Sequence, residues 1–236
     1  DAPSLVPPPN RFWSRAEVLE WIIAQKEAIL VGMDFSFAPP LIERGAYLPG
    51  DETPTNAKAF WQHVDTLCDD LDLGAASFVE HHYRHHFYLG KADGVKSDFM
   101  HLRRCEAHYI ANGGNKPSSV YDAIGAAQVS KASFAGMRLL HRIAPTYPIW
   151  PFDAIPTNGP AIVEIYTSIA ARAAGRPKGR SKVREPETLD GALSALGSTS
   201  HIPLTTYSDH ATDAIITAAW LRNAARSPAN WQPKAL

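Results

Sequence analysis

Residues 28–37 read Ala-Ile-Leu-Val-Gly-Met-Asp-Phe-Ser-Phe, and this run is apolar almost throughout. Such a run predicts a strand that is buried on both faces of a mixed or parallel sheet. Residues 161–166, Ala-Ile-Val-Glu-Ile-Tyr, repeat the pattern. Each run carries one acid, Asp34 in the first and Glu164 in the second. Because a buried carboxylate without a partner is strongly destabilising, we expect both acids at strand ends, facing a cleft or a metal ion.

Helices are predicted on either side of these strands. The first covers about residues 15–26, where Ser14 and Glu17 form a capping-box pattern ahead of an apolar face. Further helices are predicted at about 56–68, within 120–143, at 168–174 and at about 209–225. The alternation of helices and strands predicts an α/β fold.

A single domain is predicted over residues 11–225, followed by an extended tail at 226–236. Within this domain, residues 69–117 mix charged, histidine and aromatic side chains without a clear repeat. We interpret the segment as a largely helical insertion that covers one edge of the core. Residues 176–187 are basic and polar and are interpreted as a loop.

The composition bounds the kind of protein. Lys and Arg total 23 against 24 Asp and Glu, so the net charge of −1 gives no general attraction to nucleic acid. Cys68 and Cys105 lack the spacing of a metal site or a disulfide framework, which favours a reducing compartment. No apolar run approaches the roughly 18 residues of a membrane span, and no signal-peptide pattern is seen. We therefore expect a soluble cytoplasmic protein without a membrane partner.

Its Pro-rich start at Asp1 leads us to expect a natural chain that begins earlier.

Two further acids stand on the last predicted helix. Asp209 and Asp213 are four residues apart, so they project from the same helical face near its first turn. Asp209 could simply cap the helix. Asp213 borders an apolar stretch at 214–220 that should pack against the sheet, and a shared cation explains an acid there more easily. Three or four converging carboxylates suit Mg²⁺ or Mn²⁺, and two such ions about 4 Å apart activate water on a phosphodiester.

Four segments carry a family resemblance: 30–40 (LVGMDFSFAPP), 150–153 (WPFD), 163–166 (VEIY) and 209–214 (DHATDA). Together with residues 116–140, they resemble a family of predicted nucleases with a ribonuclease-H-like fold, largely known as a domain of unknown function. The resemblance spans residues 11–222. It implies a ribonuclease-H-like mixed sheet flanked by helices and a metal-dependent phosphodiester hydrolase (nuclease) acting on nucleic acid, either DNA or RNA, with Mg²⁺ or Mn²⁺. It implies four catalytic metal ligands: Asp34, Glu164, Asp209 and Asp213.

The chain departs from the pattern of this superfold. There, a first strand normally carries an essential Asp and is followed by two strands, a helix and a strand with the next acid. The helix at 15–26 and Asp34 resemble the last two of these elements, so we expect the first strands and the first Asp to be missing from this chain. Thr167 also stands where relatives commonly have proline. The alternative function is a catalytically degenerate module that binds nucleic acid or protein. A small-molecule kinase ranks last, because no Gly-rich phosphate loop of the needed kind is found.

Residues 81–86, His-His-Tyr-Arg-His-His, form a second candidate site. His81 with His85, and His82 with His86, have the i, i+4 spacing of metal ligands on a helix. The favoured alternative is a phosphate-binding rim in which these imidazoles line up with Arg84 and with the lysines at 91 and 96. His210 either satisfies a helix end or positions a water molecule beside Asp209.

A basic run could contact phosphates non-specifically, although a solvated loop is the favoured interpretation. Its members are Arg172, Arg176, Lys178, Arg180, Lys182 and Arg184.

Overall fold

The computed structural model describes residues 2–125, 129–177 and 182–232. The chain forms two compact units. The larger unit comprises Pro9–His108 and Lys116–Glu164, and the smaller unit comprises Asp1–Pro8, Tyr109–Asn115 and Ile165–Leu236. The strands found in the described ranges all belong to the larger unit.

The sheet has three strands in the order β1-β3-β2: β1 (Leu30–Met33), β2 (Ile149–Trp150) and β3 (Ala161–Glu164). The central strand β3 is parallel to both neighbours, with Met33 opposite Glu164 and Ile149 opposite Ile162. The predicted α/β class is confirmed. The strands seen among the described residues are all parallel, whereas a mixed sheet was predicted. Both predicted strands exist but are shorter than the apolar runs that indicated them.

Four α-helices begin in the described part of the larger unit: α1 (Arg15–Ile23), α2 (Ala57–Leu67), α3 (Arg104–Ala111) and α4 (Val129–Ile143). The predicted capping box starts α1, since the Glu17 N–H donates to Ser14 Oγ at 3.1 Å and the Ser14 N–H donates to Glu17 Oε2 at 2.8 Å. The helix ends at Ile23, a few residues before its predicted end. Helix α2 agrees with its prediction to within a residue at each end.

The segment predicted to be a largely helical insertion, residues 69–117, is only partly helical. Apart from α3, it consists of a π-helical turn at Phe78–His82 and short 3₁₀ turns, the first of them at Arg84–His86. Phe78 and Phe87 from this segment are fully buried and pack on Phe134 of α4, with ring centroids 4.8 and 5.2 Å apart. The segment therefore contributes to the core of the larger unit, where burial of each such ring stabilises the fold by about 1.5–3 kcal/mol.

The smaller unit contains α5 (Thr167–Ala173), α6 (Pro186–Ala195), α7 (Asp209–Ala224) and α8 (Pro228–Trp231). Leu189 and Leu193 of α6 are buried with Ile215 and Ile216 of α7. Helix α7 ends within a residue of its predicted end, whereas α6 was not predicted. Helix α8 lies in the tail that was predicted to be extended. In the described parts of the chain, no helix is both long enough and apolar enough to cross a membrane.

Candidate functional site

Asp34 and Glu164 lie at the carboxyl ends of two neighbouring parallel strands. Glu164 is the last residue of β3, and Asp34 directly follows β1, whose last residue Met33 is paired with Glu164. Asp34 is exposed and Glu164 is half-buried. Both acids therefore stand at strand ends, as predicted. The carboxyl edge of a parallel sheet is where α/β proteins generally bind their ligands.

The loop that carries Asp34 is hydrogen-bonded to two neighbouring elements, β3 and α4. The Phe37 N–H donates to Glu164 Oε2 at 2.9 Å, and the Ser36 N–H donates to Ser133 Oγ of α4 at 3.2 Å. These backbone groups bond to side chains and not to a neighbouring strand, which explains why β1 ends at Met33 although the apolar run continues to Phe37.

Arg103 donates two hydrogen bonds to the Glu164 carboxylate. Its Nη2 lies 2.6 Å from Oε1 and its Nη1 lies 2.8 Å from Oε2. The same guanidinium donates to Glu106 Oε1 at 2.7 Å. Burial of Arg103 disfavours its charge, but the carboxylates of Glu164 and Glu106 outweigh that effect and raise the pKa of Arg103. A cation that approaches Glu164 must therefore share its oxygens with Arg103, a residue that sequence reasoning did not single out.

Asp209 and Asp213 lie on α7 in the smaller unit. The N-cap of α7 is Ser208, whose Oγ accepts from the Ala211 N–H at 3.2 Å, so Asp209 is the first helical residue and not the cap. Its carboxylate binds Lys182 at 2.6 Å and Arg184 at 3.3 Å, and these hydrogen bonds lower the pKa of Asp209. Burial, and then the charge of Asp209, raise the pKa of Asp213.

The four predicted ligands thus form two pairs, one in each compact unit. Within the larger unit, Asp34 and Glu164 end adjacent strands. Within the smaller unit, Asp209 and Asp213 are close enough for the charge of one to raise the pKa of the other. Their gathering around one metal centre stays a prediction.

The chain matches no family model, no curated protein and no solved structure. The resemblance to ribonuclease-H-like nucleases therefore rests on the sequence segments themselves, and it stays a hypothesis.

The histidine run at 81–86 has a different arrangement from the predicted helix. A π-helical turn ends at His82 and a 3₁₀ turn begins at Arg84, so the predicted i, i+4 pairs do not share an α-helical face. Instead, the adjacent residues His85 and His86 both point Nε2 at Asp51 Oδ2, at 2.9 and 2.6 Å. The three ligand atoms all lie within 4.8 Å of one another.

The cations of the proposed phosphate rim and of the basic run are largely engaged within the protein. Arg84 binds Asp93 at 2.5 Å and Lys96 binds Asp122 at 2.7 Å. In the basic run, Lys182 and Arg184 bind Asp209, and Arg172 lies over the ring of Tyr109 at 5.6 Å. Lys178 and Arg180 lie outside the described residues.

Proposed function

We propose that the protein is a metal-dependent phosphodiester hydrolase acting on DNA or RNA, with a ribonuclease-H-like arrangement of its sheet. The observation that carries the proposal is the placement of Asp34 and Glu164 at the carboxyl ends of paired parallel strands. Two cysteines without disulfide partners, Cys68 and Cys105, favour a reducing compartment, and we propose the cytoplasm.

The residues at this edge suit a hard divalent cation, since Mg²⁺ and Mn²⁺ prefer carboxylate oxygens and retain several water molecules. The exposed Asp34 offers a carboxylate without a large desolvation penalty. Glu164 is oriented by Arg103 and by the Phe37 N–H. When bound, the metal would activate water and neutralise charge on the phosphate.

Arg103 has a role of its own in this proposal. A guanidinium that binds a carboxylate through two parallel hydrogen bonds has the geometry to bind two phosphate oxygens in the same way. Arg103 would move from Glu164 to the phosphate group of the substrate and so release the carboxylate oxygens for the cation. Asp34 and Glu164 would hold the cation, and Arg103 would orient the phosphodiester.

A binding module without catalysis is the second candidate. It is favoured by the basic side chains that already pair with predicted ligands, Arg103 with Glu164, and Lys182 and Arg184 with Asp209. Such a module would bind nucleic acid with an affinity that salt lowers, and Asp34→Asn would leave that affinity unchanged.

The experiment combines thermal unfolding with a cleavage assay in Mn²⁺, in Mg²⁺ and in chelator. Labelled single- and double-stranded DNA and RNA serve as substrates. We expect Mg²⁺ to raise the melting temperature and to permit cleavage, because a ligand that binds only the folded state stabilises it. Asp34→Asn should abolish both effects, and Asp213→Asn tests the smaller unit's pair in the same way. Asp69→Asn, at another exposed acid, is the matched control and should retain both. Metal-independent binding without cleavage in all variants would replace the hydrolase by the binding module.

A further inference from the structure

The larger unit contains a mixed cluster of one carboxylate and two imidazoles, formed by residues other than the acids at the sheet edge. Asp51 lies in a turn next to Gly50, whose φ of +97° favours glycine at that position. His85 and His86 come from the 3₁₀ turn at Arg84–His86. Their rings are 4.2 Å apart, and both direct Nε2 at one oxygen of Asp51. Three ligand-type atoms from two distant stretches of chain therefore converge on one point.

We propose that Asp51, His85 and His86 form a binding site for a first-row transition ion of the Zn²⁺ class. Two imidazole nitrogens and one carboxylate oxygen are ligands that Zn²⁺ favours, whereas Mg²⁺ and Ca²⁺ prefer oxygen alone. Three protein ligands leave the fourth position of a tetrahedral ion for water.

The distances fit such an ion after a small adjustment. Zn–N and Zn–O bonds of about 2.0–2.2 Å place the ligand atoms of a tetrahedral site roughly 3.4 Å apart. The separations of 2.6 and 2.9 Å between Asp51 Oδ2 and the two nitrogens are shorter than this. The carboxylate therefore has to move away by less than about 1 Å, which is within reach of a small side-chain rotation.

The two histidines differ in exposure, and this gives the site an opening to solvent. The side chain of His86 is only 6% exposed, whereas that of His85 is 64% exposed. His86 fixes the position of the site in the fold, and His85 closes it from the solvent side. The alternative is that the cluster is complete without a metal, because Asp51 can accept an N–H hydrogen bond from each ring.

A measurement of equilibrium Zn²⁺ binding distinguishes a metal site from a hydrogen-bonded cluster without metal. It uses the full chain after a chelator has removed any bound metal. Competition with a chromophoric chelator measures the affinity, and visible absorption of the Co²⁺ form reports on the ligands. We expect one ion per chain, and His85→Gln and Asp51→Asn should each weaken binding by at least about tenfold. Because His85 is exposed, its substitution leaves the core of the larger unit intact.

The matched controls are His81→Gln and His82→Gln, which remove exposed imidazoles from the same run. They should leave the affinity and the Co²⁺ spectrum unchanged. Asp34→Asn should also retain Zn²⁺, so a failure of the hydrolase proposal and a failure of this one are distinguishable. Absence of binding, or weak binding that all five histidine and aspartate substitutions reduce equally, would overturn the site and leave Asp51 as a hydrogen-bond acceptor only.

Discussion

At the scale of one residue, Arg103 links the end of β3 to the first turn of α3. It binds the carboxylate at the end of β3, it binds Glu106 in the first turn of α3, and its backbone N–H donates to the same Glu106 at 2.8 Å. Only 18% of its side chain is exposed. The Arg103 guanidinium is therefore solvated mainly by the carboxylates of Glu164 and Glu106 and only slightly by water. Removal of the guanidinium would leave these two carboxylates close together without a counter-charge.

We expect Arg103→Met to destabilise the larger unit by about 2–3 kcal/mol, since breaking a largely buried ion pair leaves uncompensated charge. Arg104→Met is the matched control. Arg104 pairs with Glu43 at 3.1 Å, but 54% of its side chain is exposed, so its loss should change stability by about 0–1 kcal/mol. Urea unfolding measures both, and the double variant Arg103→Met/Glu164→Gln should recover part of the loss. Equal losses for the two arginines would contradict this account of Arg103.

Sequence reasoning identified the acids at the strand ends but not the groups that bind them. Asp34 and Glu164 were visible because each interrupts an apolar run. Arg103 is 61 residues from Glu164 in the chain, and Asp51 is 34 residues from His85, so no local spacing indicates either contact. The sequence showed the histidine run at 81–86 as a pattern. It did not show the partner Asp51 or the geometry of the run. The π-helical turn at Phe78–His82 breaks the α-helical register on which the spacing argument depends.

At the scale of elements, hydrophobic periodicity in the sequence predicted the main helices and two strands. The ends of the strands are determined by hydrogen bonds of the loops that follow them. The first apolar run overestimated β1 because backbone groups beyond Met33 bond to side chains of other elements. The second run overestimated β3 because Tyr166 is already the N-cap of α5, where its carbonyl accepts from the Ile169 N–H at 2.9 Å. Helix α6 did have a signal. Pro186 stands at its first turn, and Leu189 and Leu193 are four residues apart on the buried face. Gly191 within the helix and the basic loop before it obscured that signal.

Gly136 on α4 provides the space in which the loop after β1 packs. A Cβ atom at this position would lie 2.3 Å from the ring of Phe35, the residue that follows Asp34. We expect Gly136→Ala to destabilise the protein by about 1–3 kcal/mol because the ring must move. The same change at Gly191 of α6 meets no atom within 4 Å and should stabilise by about 0.5–1 kcal/mol. Thermal unfolding compares the two. A neutral Gly136→Ala would show that Phe35 is not closely packed on α4.

At the scale of the whole molecule, the electrostatics argue for local and not global binding of a polyanion. The net charge is −1, and several cations with described contacts are bound to carboxylates within their own unit. Within the part of the chain that the structure describes, these paired cations add little to a basic surface that could hold a phosphate backbone. The proposed hydrolase therefore predicts that affinity for nucleic acid requires divalent ions held between protein carboxylates and phosphates.

Buried histidines of the larger unit predict how the stability of the protein depends on pH, measured in chelator so that no metal is bound. Burial lowers the pKa of His63 and of His101 below the ordinary value of 6.5. Below pH 6.5 the unfolded chain therefore binds more protons than the folded chain, and stability falls as the pH falls. We expect the urea midpoint to decrease between about pH 7.5 and about pH 5.5, with each histidine contributing less than about 1.4 kcal/mol per pH unit. His63→Gln should reduce this dependence, whereas the exposed His81→Gln should preserve it. A midpoint that stays constant or rises toward acid pH would show that the two imidazoles are as free to gain a proton in the folded protein as in the unfolded chain.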